Sequence, residues 1–404
     1  MTNMLQEHIN NIIDQVIAYR RHLHRHPEPS GREEATARWL ATQCRRLGLI
    51  VREHIGGHGI CARMQLDPGL PWLALRADID ALPIREQTGL AHASCHDGLA
   101  HACGHDAHSA MLLGAAATLR QLRQHLRCNL MFIFQPAEET CTGATAMLAD
   151  GLFSEIQPEF IFALHVYPDL PAGTVGLRRG VMCAAADLFE VTIEGRGGHA
   201  ARPHECTDTI LIASHMIQAL HHIISRRIDA QHPAVLTIGE IHAGHAANIL
   251  PDKARFAGTV RTFHPEIHET IRAHMQRIIH QTAESWGATA HFSLKQASPV
   301  LVNDPLLVDA CAEVFAQYLP ACRQIELDQP SLGGEDFAEF LRKIPGALFR
   351  LGTGAGPQTR YPLHHPRFDI EENAMREGVG LLCALALAFP HLQKRTASPI
   401  HTLC

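Results

Sequence analysis

The sequence predicts an α/β fold: a mostly parallel central sheet with a smaller domain inserted into it. Two observations carry this prediction. In the first and last parts of the chain, short apolar runs that end in polar residues alternate with helical patterns, as in a parallel sheet covered by helices. From about residue 187 the pattern changes to alternating apolar and polar residues, which is typical of half-exposed strands.

The inserted domain is predicted from the order of its elements. A chain of 404 residues is longer than one core usually grows. Between residues 187 and 295 the patterns indicate strand, helix, two strands, helix and strand, the βαββαβ order of a ferredoxin-like unit. We therefore expect an inserted domain over residues 186–297 and a discontinuous larger domain over residues 1–185 and 298–404.

The elements of the larger domain follow from local patterns. Ser30 and Glu33 have capping-box spacing and precede a helical apolar pattern that stops at Gly48, which predicts a helix over 31–47. The tail after Pro390 has no clear pattern and is expected to be loose. Further segments are predicted as three buried strands at 72–75, 130–134 and 160–164, a helix at 305–318, a strand at 347–351 and a helix at 373–389.

Polar side chains follow the three buried strands at their carboxyl ends. They are Asp78, Asp80, Glu138, Glu139 and His165. In open α/β sheets, ligands bind at this edge. The sequence therefore predicts a functional site there.

The segment from His101 to His108 contains Cys103 and His105 on a tight turn with a glycine between them. A thiolate and an imidazole at this spacing can face one cation, and the mixture suits a borderline-soft metal such as zinc. The alternative is a histidine-rich loop in a chain with thirty histidines.

Glu138 and Glu139 are adjacent carboxylates after a buried strand. One can bind a metal while the other takes a proton from water; the alternative is an exposed acid pair at a helix start. His165 alone suits a hydrogen-bonded core residue equally well, and His364-His365 is unremarkable alone. Together these groups supply thiolate, imidazole and carboxylate from separate strand ends, which predicts a pair of catalytic metals.

In the inserted segment, His199, Asn248 and Arg261 lie near predicted strand ends. The glycines before His199 permit a sharp loop that presents its imidazole. Each residue alone is equally consistent with loop stabilisation, and spacing does not connect any of them to the metal ligands.

The composition limits which partners and which cellular compartment we expect for the protein. The net charge of −6 is spread without basic blocks, which argues against nucleic acid and membrane surfaces as partners. The first 23 residues lack the apolar core of a signal peptide, and no run of ~20 apolar residues occurs. Twelve cysteines without paired spacing fit reduced thiols. We expect a soluble cytoplasmic protein that binds a small molecule.

The motifs together resemble the M20 metallopeptidase family, in particular its aminoacylase-like branch of hippurate hydrolases and indoleacetyl-amino acid hydrolases. The resemblance covers residues 20 to 388. It rests on Arg21-His22-Leu23-His24 with Pro27-Glu28, Arg76-Ala77-Asp78-Ile79-Asp80-Ala81-Leu82-Pro83, His101 through His108, Gln135-Pro136-Ala137-Glu138-Glu139, Gly197-Gly198-His199-Ala200, Gly333-Gly334-Glu335-Asp336-Phe337 and Leu363-His364-His365-Pro366.

The resemblance implies a zinc-peptidase-like catalytic domain with two divalent metal ions per subunit, zinc or manganese, with cobalt or nickel as further choices. Glu138 would be the general base, and Asp78 would orient a metal ligand. For the late histidine the family pattern favours His364, with His365 as the alternative. The implied ligands are Cys103, which bridges the metals, His105, Glu139, His165 and His364.

The resemblance also assigns the inserted domain as a lid that forms a homodimer. His199 would then reach the partner's active site to stabilise an oxyanion, and Asn248 and Arg261 would bind the oxyanion or the substrate carboxylate. The Cys103 pattern favours hydrolysis of N-acyl amino acids, with the acyl group left open. Alternatives are a dipeptidase or aminopeptidase on the same scaffold, or a non-catalytic binding protein.

Overall fold

The computed structural model describes residues 1–397. In that part of the chain the helices are α1 (Thr2–Arg25), α2 (Glu34–Arg46), α3 (His105–Gln121), α4 (Gly143–Ala149), α5 (Thr209–Arg227), α6 (Pro265–Ser285), α7 (Pro305–Tyr318), α8 (Phe337–Leu341), α9 (Met375–Leu387) and α10 (Phe389–Ala397). The strands are β1 (Ile50–Ile55), β2 (Gly59–Met64), β3 (Trp72–Asp78), β4 (Asn129–Gln135), β5 (Phe160–Pro171), β6 (Thr174–Leu177), β7 (Gly180–Cys183), β8 (Ala185–Glu194), β9 (Gly198–His199), β10 (Ala234–Ala243), β11 (Ile249–Leu250), β12 (Lys253–Thr262), β13 (Thr289–Ser298), β14 (Leu301–Asn303), β15 (Arg323–Glu326) and β16 (Gly346–Gly354).

The chain divides into two compact units. The first comprises Met1–Met182, Val302–Pro330 and the chain from Asp336 onward, and the second comprises Cys183–Leu301 and Ser331–Glu335. The segment predicted as the inserted domain, residues 186–297, lies within the second unit. That prediction did not include Ser331–Glu335. This segment contacts the start of the unit, where the Ala184 N–H donates to the Ser331 carbonyl at 2.9 Å.

The first unit contains an eight-stranded sheet in the order β1-β2-β4-β3-β5-β16-β6-β15. Neighbours run parallel from β4 through β3 and β5 to β16, and β15 is parallel to β6. The other pairs are antiparallel. All seven residues of β4 are buried, so both faces of the sheet are covered there. The predicted mixed α/β fold with a mostly parallel sheet is confirmed.

The strand that carries His165 is longer than predicted. β5 keeps its parallel pairing with β16 beyond His165, as far as the pair Pro171 and Gly354. His165 therefore lies inside a strand, whereas the sequence analysis placed it just past a strand end. The predicted end was wrong because pairing with β16, rather than the apolar run alone, determines how far β5 extends.

The predicted helix over 31–47 forms as α2, but the predicted capping box is absent. Ser30 Oγ donates to Asp80 Oδ2 at 2.7 Å instead of capping the helix. Glu33 is fully buried, and its Oε1 accepts from the N–H groups of Gly31 at 2.9 Å and Ala137 at 2.8 Å. Both side chains thus support the edge of the sheet where the acidic residues cluster.

The tail after Pro390 was expected to be loose, and as far as residue 397 this was wrong, whereas residues 398–404 lie outside the part of the chain that the structure describes. The chain forms α10, in which Phe389 and Leu392 are fully buried. Pro390 is compatible with this helix because it lies in the first turn, where its missing N–H has no helical partner to lose. No single helix within residues 1–397 has the length and apolar composition to cross a membrane, although α9 and α10 meet that test together as a pair bent by 63°.

The second unit is built on a four-stranded antiparallel sheet in the order β10-β12-β8-β13. Helices α5 and α6 pack on the sheet, and their apolar faces share a core with Phe189, Val191 and Phe256. The βαββαβ order of these elements matches the predicted order. The short strands β9 and β11 pair with each other as a separate ribbon.

Candidate metal centre

Six side chains of the first unit gather at the carboxyl end of the parallel strands. Three groups of possible ligands each have their ligand atoms within 4.8 Å of one another. They are Cys103 with His105 and His165, Cys103 with Glu139 and His364, and His105 with Glu138 and Glu139. Because the groups overlap through Cys103, His105 and Glu139, the arrangement could hold two neighbouring cations.

A glycine turn places Cys103 and His105 in this cluster. Gly104 has φ +88°, a conformation that favours glycine. A Cβ atom at this position would also lie 2.3 Å from Cγ2 of Val166 on β5. The turn can therefore approach the sheet closely, and α3 begins immediately afterwards at His105.

His105 presents a buried nitrogen, Nε2, to two carboxylates of the cluster. Its Nδ1 lies 2.9 Å from the Asp80 carbonyl oxygen and 3.1 Å from Asp80 Oδ1, so Nδ1 carries the proton and donates. Nε2 has no hydrogen-bond partner among the described residues and lies 3.7 Å from Glu138 Oε2 and 3.8 Å from Glu139 Oε1. A buried imidazole nitrogen facing two carboxylates suits a bound cation.

His165 is held in the same tautomer. Its Nδ1 donates to the Val166 carbonyl at 2.8 Å, and Nε2 lies 3.5 Å from Cys103 Sγ. Burial, and then the charge of Arg350, hold the pKa of His165 well below its usual value. The neutral imidazole that results is the form that binds a metal.

Of the two late histidines, the structure brings His364 to the cluster. Its Nε2 lies 3.3 Å from Glu139 Oε2. Its backbone N–H donates to the Ala102 carbonyl at 2.8 Å, and its φ is +66°. The ring of His365 instead stacks on Tyr361 with centroids 4.6 Å apart. Geometry thus favours His364 over His365, and its role as a ligand stays a prediction.

Asp78 was predicted to orient a metal ligand, and this role stays a prediction. Its Oδ1 lies 2.6 Å from Nδ1 of His108, and its Oδ2 accepts from Arg76 at 2.7 Å and lies 3.8 Å from Nε2 of the proposed ligand His105. Nε2 of His108 accepts the Val166 N–H at 2.9 Å, so both nitrogens of that ring are already used. The carboxylate that accepts a hydrogen bond from Nδ1 of His105 is Asp80. Asp78 and Asp80 are two residues apart at the end of β3 and form hydrogen bonds with different imidazoles.

The electrostatic field of the cluster favours positive charge. Burial lowers the pKa of His105, but the negative charges of Asp78 and Cys103 outweigh it and raise the pKa well above its usual value. Oε1 of Glu139, like Nε2 of His105, is buried without a hydrogen-bond partner in the described chain. Thiolate, imidazole and carboxylate donors with orphaned ligand atoms fit a pair of divalent metal ions.

Sequence reasoning missed a buried ionic network behind α3. Arg20 is 1% exposed and bonds Asp106 at 3.1 Å, Asp369 at 2.6 Å and Glu372 at 3.0 Å. Asp106 directly follows His105, and its Oδ2 also lies 2.8 Å from Nδ1 of His24. The signal available in the sequence was the spacing of Arg20 and His24, which places both on one face of α1.

The remaining predicted site residues belong to the second unit. His199 is exposed on β9, opposite Ile249 of β11, and its Nδ1 accepts the Ala201 N–H at 3.1 Å. The carbonyl of Asn248 accepts the Ala200 N–H at 3.1 Å, so His199 and Asn248 lie on adjoining backbone segments. Arg261 lies on β12, paired with Ala186 and Val235.

This fold and this donor set define a metal-binding α/β protein of the hydrolase type. Residues 74–388 match the model of Peptidase family M20/M25/M40. The chain belongs to this family.

Known relatives agree with that assignment. An N-acetyl-L-cysteine deacetylase of Bacillus subtilis is 38% identical, over 91% of this chain and 86% of the relative. Thermostable carboxypeptidase 2 of Saccharolobus solfataricus is 33% identical, over 96% of this chain and 99% of the relative. A crystal structure from Bacillus subtilis, described as a dinuclear metal binding peptidase of the M20 family, has 34% identity and a TM-score of 0.80, and the match covers 94% of this chain and 99% of that one.

Proposed function

We propose that the chain is a metal-dependent amidohydrolase that splits N-acyl amino acids into a carboxylic acid and a free amino acid. The observation that carries the proposal is the cluster of thiolate, imidazole and carboxylate donors at the carboxyl end of the parallel sheet. The name of the deacetylase relative supports the substrate class. The acyl group is not specified by the cluster, since hippurate-like and acetyl substrates share the same amide.

Two divalent metal ions per subunit would be held by Cys103, His105, Glu139, His165 and His364, and Cys103 belongs to two of the ligand groups. Zinc is favoured by the thiolate and imidazole donors, and manganese, cobalt and nickel are the other candidates. When bound, the metals would polarise the substrate carbonyl and make a water molecule more acidic.

Glu138 is the proposed general base. It is 6% exposed, and its Oε2 lies 3.7 Å from Nε2 of the proposed ligand His105, close enough to serve a water molecule at the cluster. Glu138 would accept a proton from that water as the water oxygen bonds to the amide carbon. As the carbon–nitrogen bond breaks, Glu138 would return the proton to the leaving nitrogen and regain its carboxylate.

The second unit is proposed as a lid that also forms a homodimer. His199 would stabilise the oxyanion in the partner subunit's site, and Asn248 and Arg261 would bind the oxyanion or the substrate carboxylate. Exposed apolar side chains in this unit support an interface. They include Leu188, Ile210, Leu211, Val235, Ile241 and Ile249.

A cytoplasmic location is part of the proposal. It is supported by the cysteines of the described chain, all of which are free thiols. A second candidate activity, cleavage of peptide bonds, is favoured by the carboxypeptidase relative, which aligns over 96% of this chain. The same donor cluster would serve both reactions, so substrate tests must separate them.

The test is release of free amino acid from metal-stripped enzyme supplied in turn with zinc, manganese, cobalt and nickel. The substrates are hippurate, N-acetyl and indoleacetyl amino acids, with unblocked dipeptides and tripeptides beside them. Metal-dependent release from the acylated substrates supports the proposal. Faster release from unblocked peptides favours the peptidase, and no release from any substrate with any metal would overturn both.

A further inference from the structure

A further group of possible metal ligands lies outside the proposed catalytic cluster. His26, just after α1, and the adjacent Cys95 and His96 are exposed, and their ligand atoms lie within 4.8 Å of one another. Cys95 Sγ is 3.3 Å from Nδ1 of His26. Ligands on one tetrahedral zinc ion are separated by roughly 3.5 Å, given the usual zinc–sulfur and zinc–nitrogen bond lengths. The spacing therefore already approaches that of a zinc site.

Backbone contacts hold these residues in place. The Cys95 N–H donates to the Arg25 carbonyl at 2.9 Å, which fixes the loop to the end of α1. One residue earlier, the Ser94 N–H donates to Glu86 Oε2 at 2.7 Å. The loop that carries two of the three ligands is thus attached at both of these points.

The tautomer of His96 is also fixed. Its Nδ1 lies 3.0 Å from the Pro27 carbonyl oxygen, which can only accept, so Nδ1 carries the proton and Nε2 keeps its lone pair. A backbone carbonyl behind an imidazole is a common support for metal-binding histidines. His26 and His96 also line a pocket of 580 Å³ together with His22 and Trp39, which gives solvent access to the group.

We propose that His26, Cys95 and His96 bind one zinc ion, in addition to the pair proposed for the catalytic cluster. One thiolate and two imidazoles suit this borderline-soft cation, and water would fill the fourth position. On binding, Cys95 releases its thiol proton to solvent as the sulfur–zinc bond forms, while both imidazoles bind through nitrogen lone pairs. The ion would link the end of α1 to the loop that carries Cys95.

The first test measures how fast iodoacetamide alkylates Cys95 in the presence of zinc and in the presence of a chelator. Mass spectrometry of the peptide that contains Cys95 gives the rate. Zinc should slow the alkylation by about tenfold or more, because a metal-bound thiolate is a poor nucleophile. His26→Asn and His96→Asn should abolish most of this protection. Cys206, a half-buried free thiol, serves as the internal control. An alkylation rate at Cys95 that does not change with zinc would overturn the proposal.

The second test counts zinc by elemental analysis after equilibration in a zinc buffer. Cys95→Ser should hold one zinc ion fewer per chain than the unaltered protein, whereas Cys206→Ser should hold the same number. Turnover of Cys95→Ser on N-acyl amino acids should be unchanged, because Cys95 has no part in the proposed catalytic cluster. Equal zinc content in Cys95→Ser and the unaltered protein would contradict the site. Both readouts are independent of whether the chain hydrolyses N-acyl amino acids.

Discussion

The carboxylate of Asp80 bridges two proposed metal ligands: Oδ1 lies 3.1 Å from Nδ1 of His105, and Oδ2 accepts the backbone N–H of Glu139 at 3.0 Å. Ser30 Oγ donates to the same Oδ2 at 2.7 Å. Asp80 therefore fixes the ring of His105 and the backbone of Glu139 at once, without being a proposed ligand itself.

Asp80→Asn should weaken metal binding by about 10- to 100-fold, because a supporting carboxylate behind a metal-binding histidine typically contributes that much. Titration against a competing chelator measures the affinity, and activity should recover at high metal concentration. Asp14→Asn, an exposed change on α1, is the control. Metal affinity equal to that of the control would exclude this role for Asp80.

Glu138→Gln should lower turnover by about 10²- to 10⁴-fold while metal content stays the same, since the amide keeps the shape of the carboxylate but cannot accept a proton. Single-turnover kinetics and elemental analysis of one preparation give both values. Glu139→Gln is the contrasting variant and should lose metal. If Glu138→Gln kept most of its activity, the general base would have to be another group.

His199→Ala and Glu138→Gln should each be inactive alone, and mixing them under conditions of subunit exchange should restore part of the activity. In the mixed dimer, one site would combine an intact Glu138 with an intact His199 from the partner. Heterodimers are verified by differential tags. Confirmed heterodimers without restored activity would argue against a site shared between subunits.

Arg20→Met should lower the free energy of unfolding by about 3–5 kcal/mol, because it leaves the buried carboxylate of Asp106 without its cationic partner. Urea denaturation measures the change. Arg21→Met is the matched control on the same helix. The Arg21 side chain is 52% exposed and pairs with Glu372 at 2.5 Å, and exposed pairs contribute about 1 kcal/mol or less. Equal effects of the two variants would contradict this account.

The stability contributed by His24 should depend on pH. Burial alone would lower its pKa, but hydrogen bonds to Asp106 and Glu86 raise it to about 9, from a usual value of 6.5. A group whose pKa is raised on folding contributes fully below its unfolded pKa and loses that contribution as pH rises through the folded value. His24→Gln should therefore destabilise the protein most at pH 6 and much less above pH 9, by a difference on the order of 3 kcal/mol. Urea titrations of both proteins across this range measure it.

The large sheet was predictable because its central strands are buried on both faces and therefore form uninterrupted apolar runs. The runs at 72–75 and 130–134 became β3 and β4. β3 is longer than its run by Arg76, Ala77 and Asp78, and β4 by Asn129 and Gln135. Local patterns failed where tertiary contacts decide the outcome. The length of β5 depends on pairing with β16, and α10 depends on burial of Phe389 and Leu392.

The identity of the clustered side chains was also predictable from the sequence, but their individual contacts were not. Residue chemistry at strand ends selected the donors that the structure brings together, including His364 by family resemblance. It did not distinguish the hydrogen-bond partners of Asp78 and Asp80, because the two residues lie close together at the end of β3 and only the fold shows which imidazole each carboxylate contacts. The sequence analysis also predicted Ser30 as part of a helix cap, whereas in the structure its hydroxyl donates to Asp80.

The backbone of His364 adopts φ +66°, a left-handed conformation that a side chain with a Cβ disfavours by on the order of 1 kcal/mol. The residue proposed to complete the metal cluster is thus held in a geometry that glycine would adopt with less strain. Glycine at this position would relax the backbone but would remove the imidazole whose Nε2 lies 3.3 Å from Glu139 Oε2. The backbone and the proposed metal cluster therefore favour different residues at position 364.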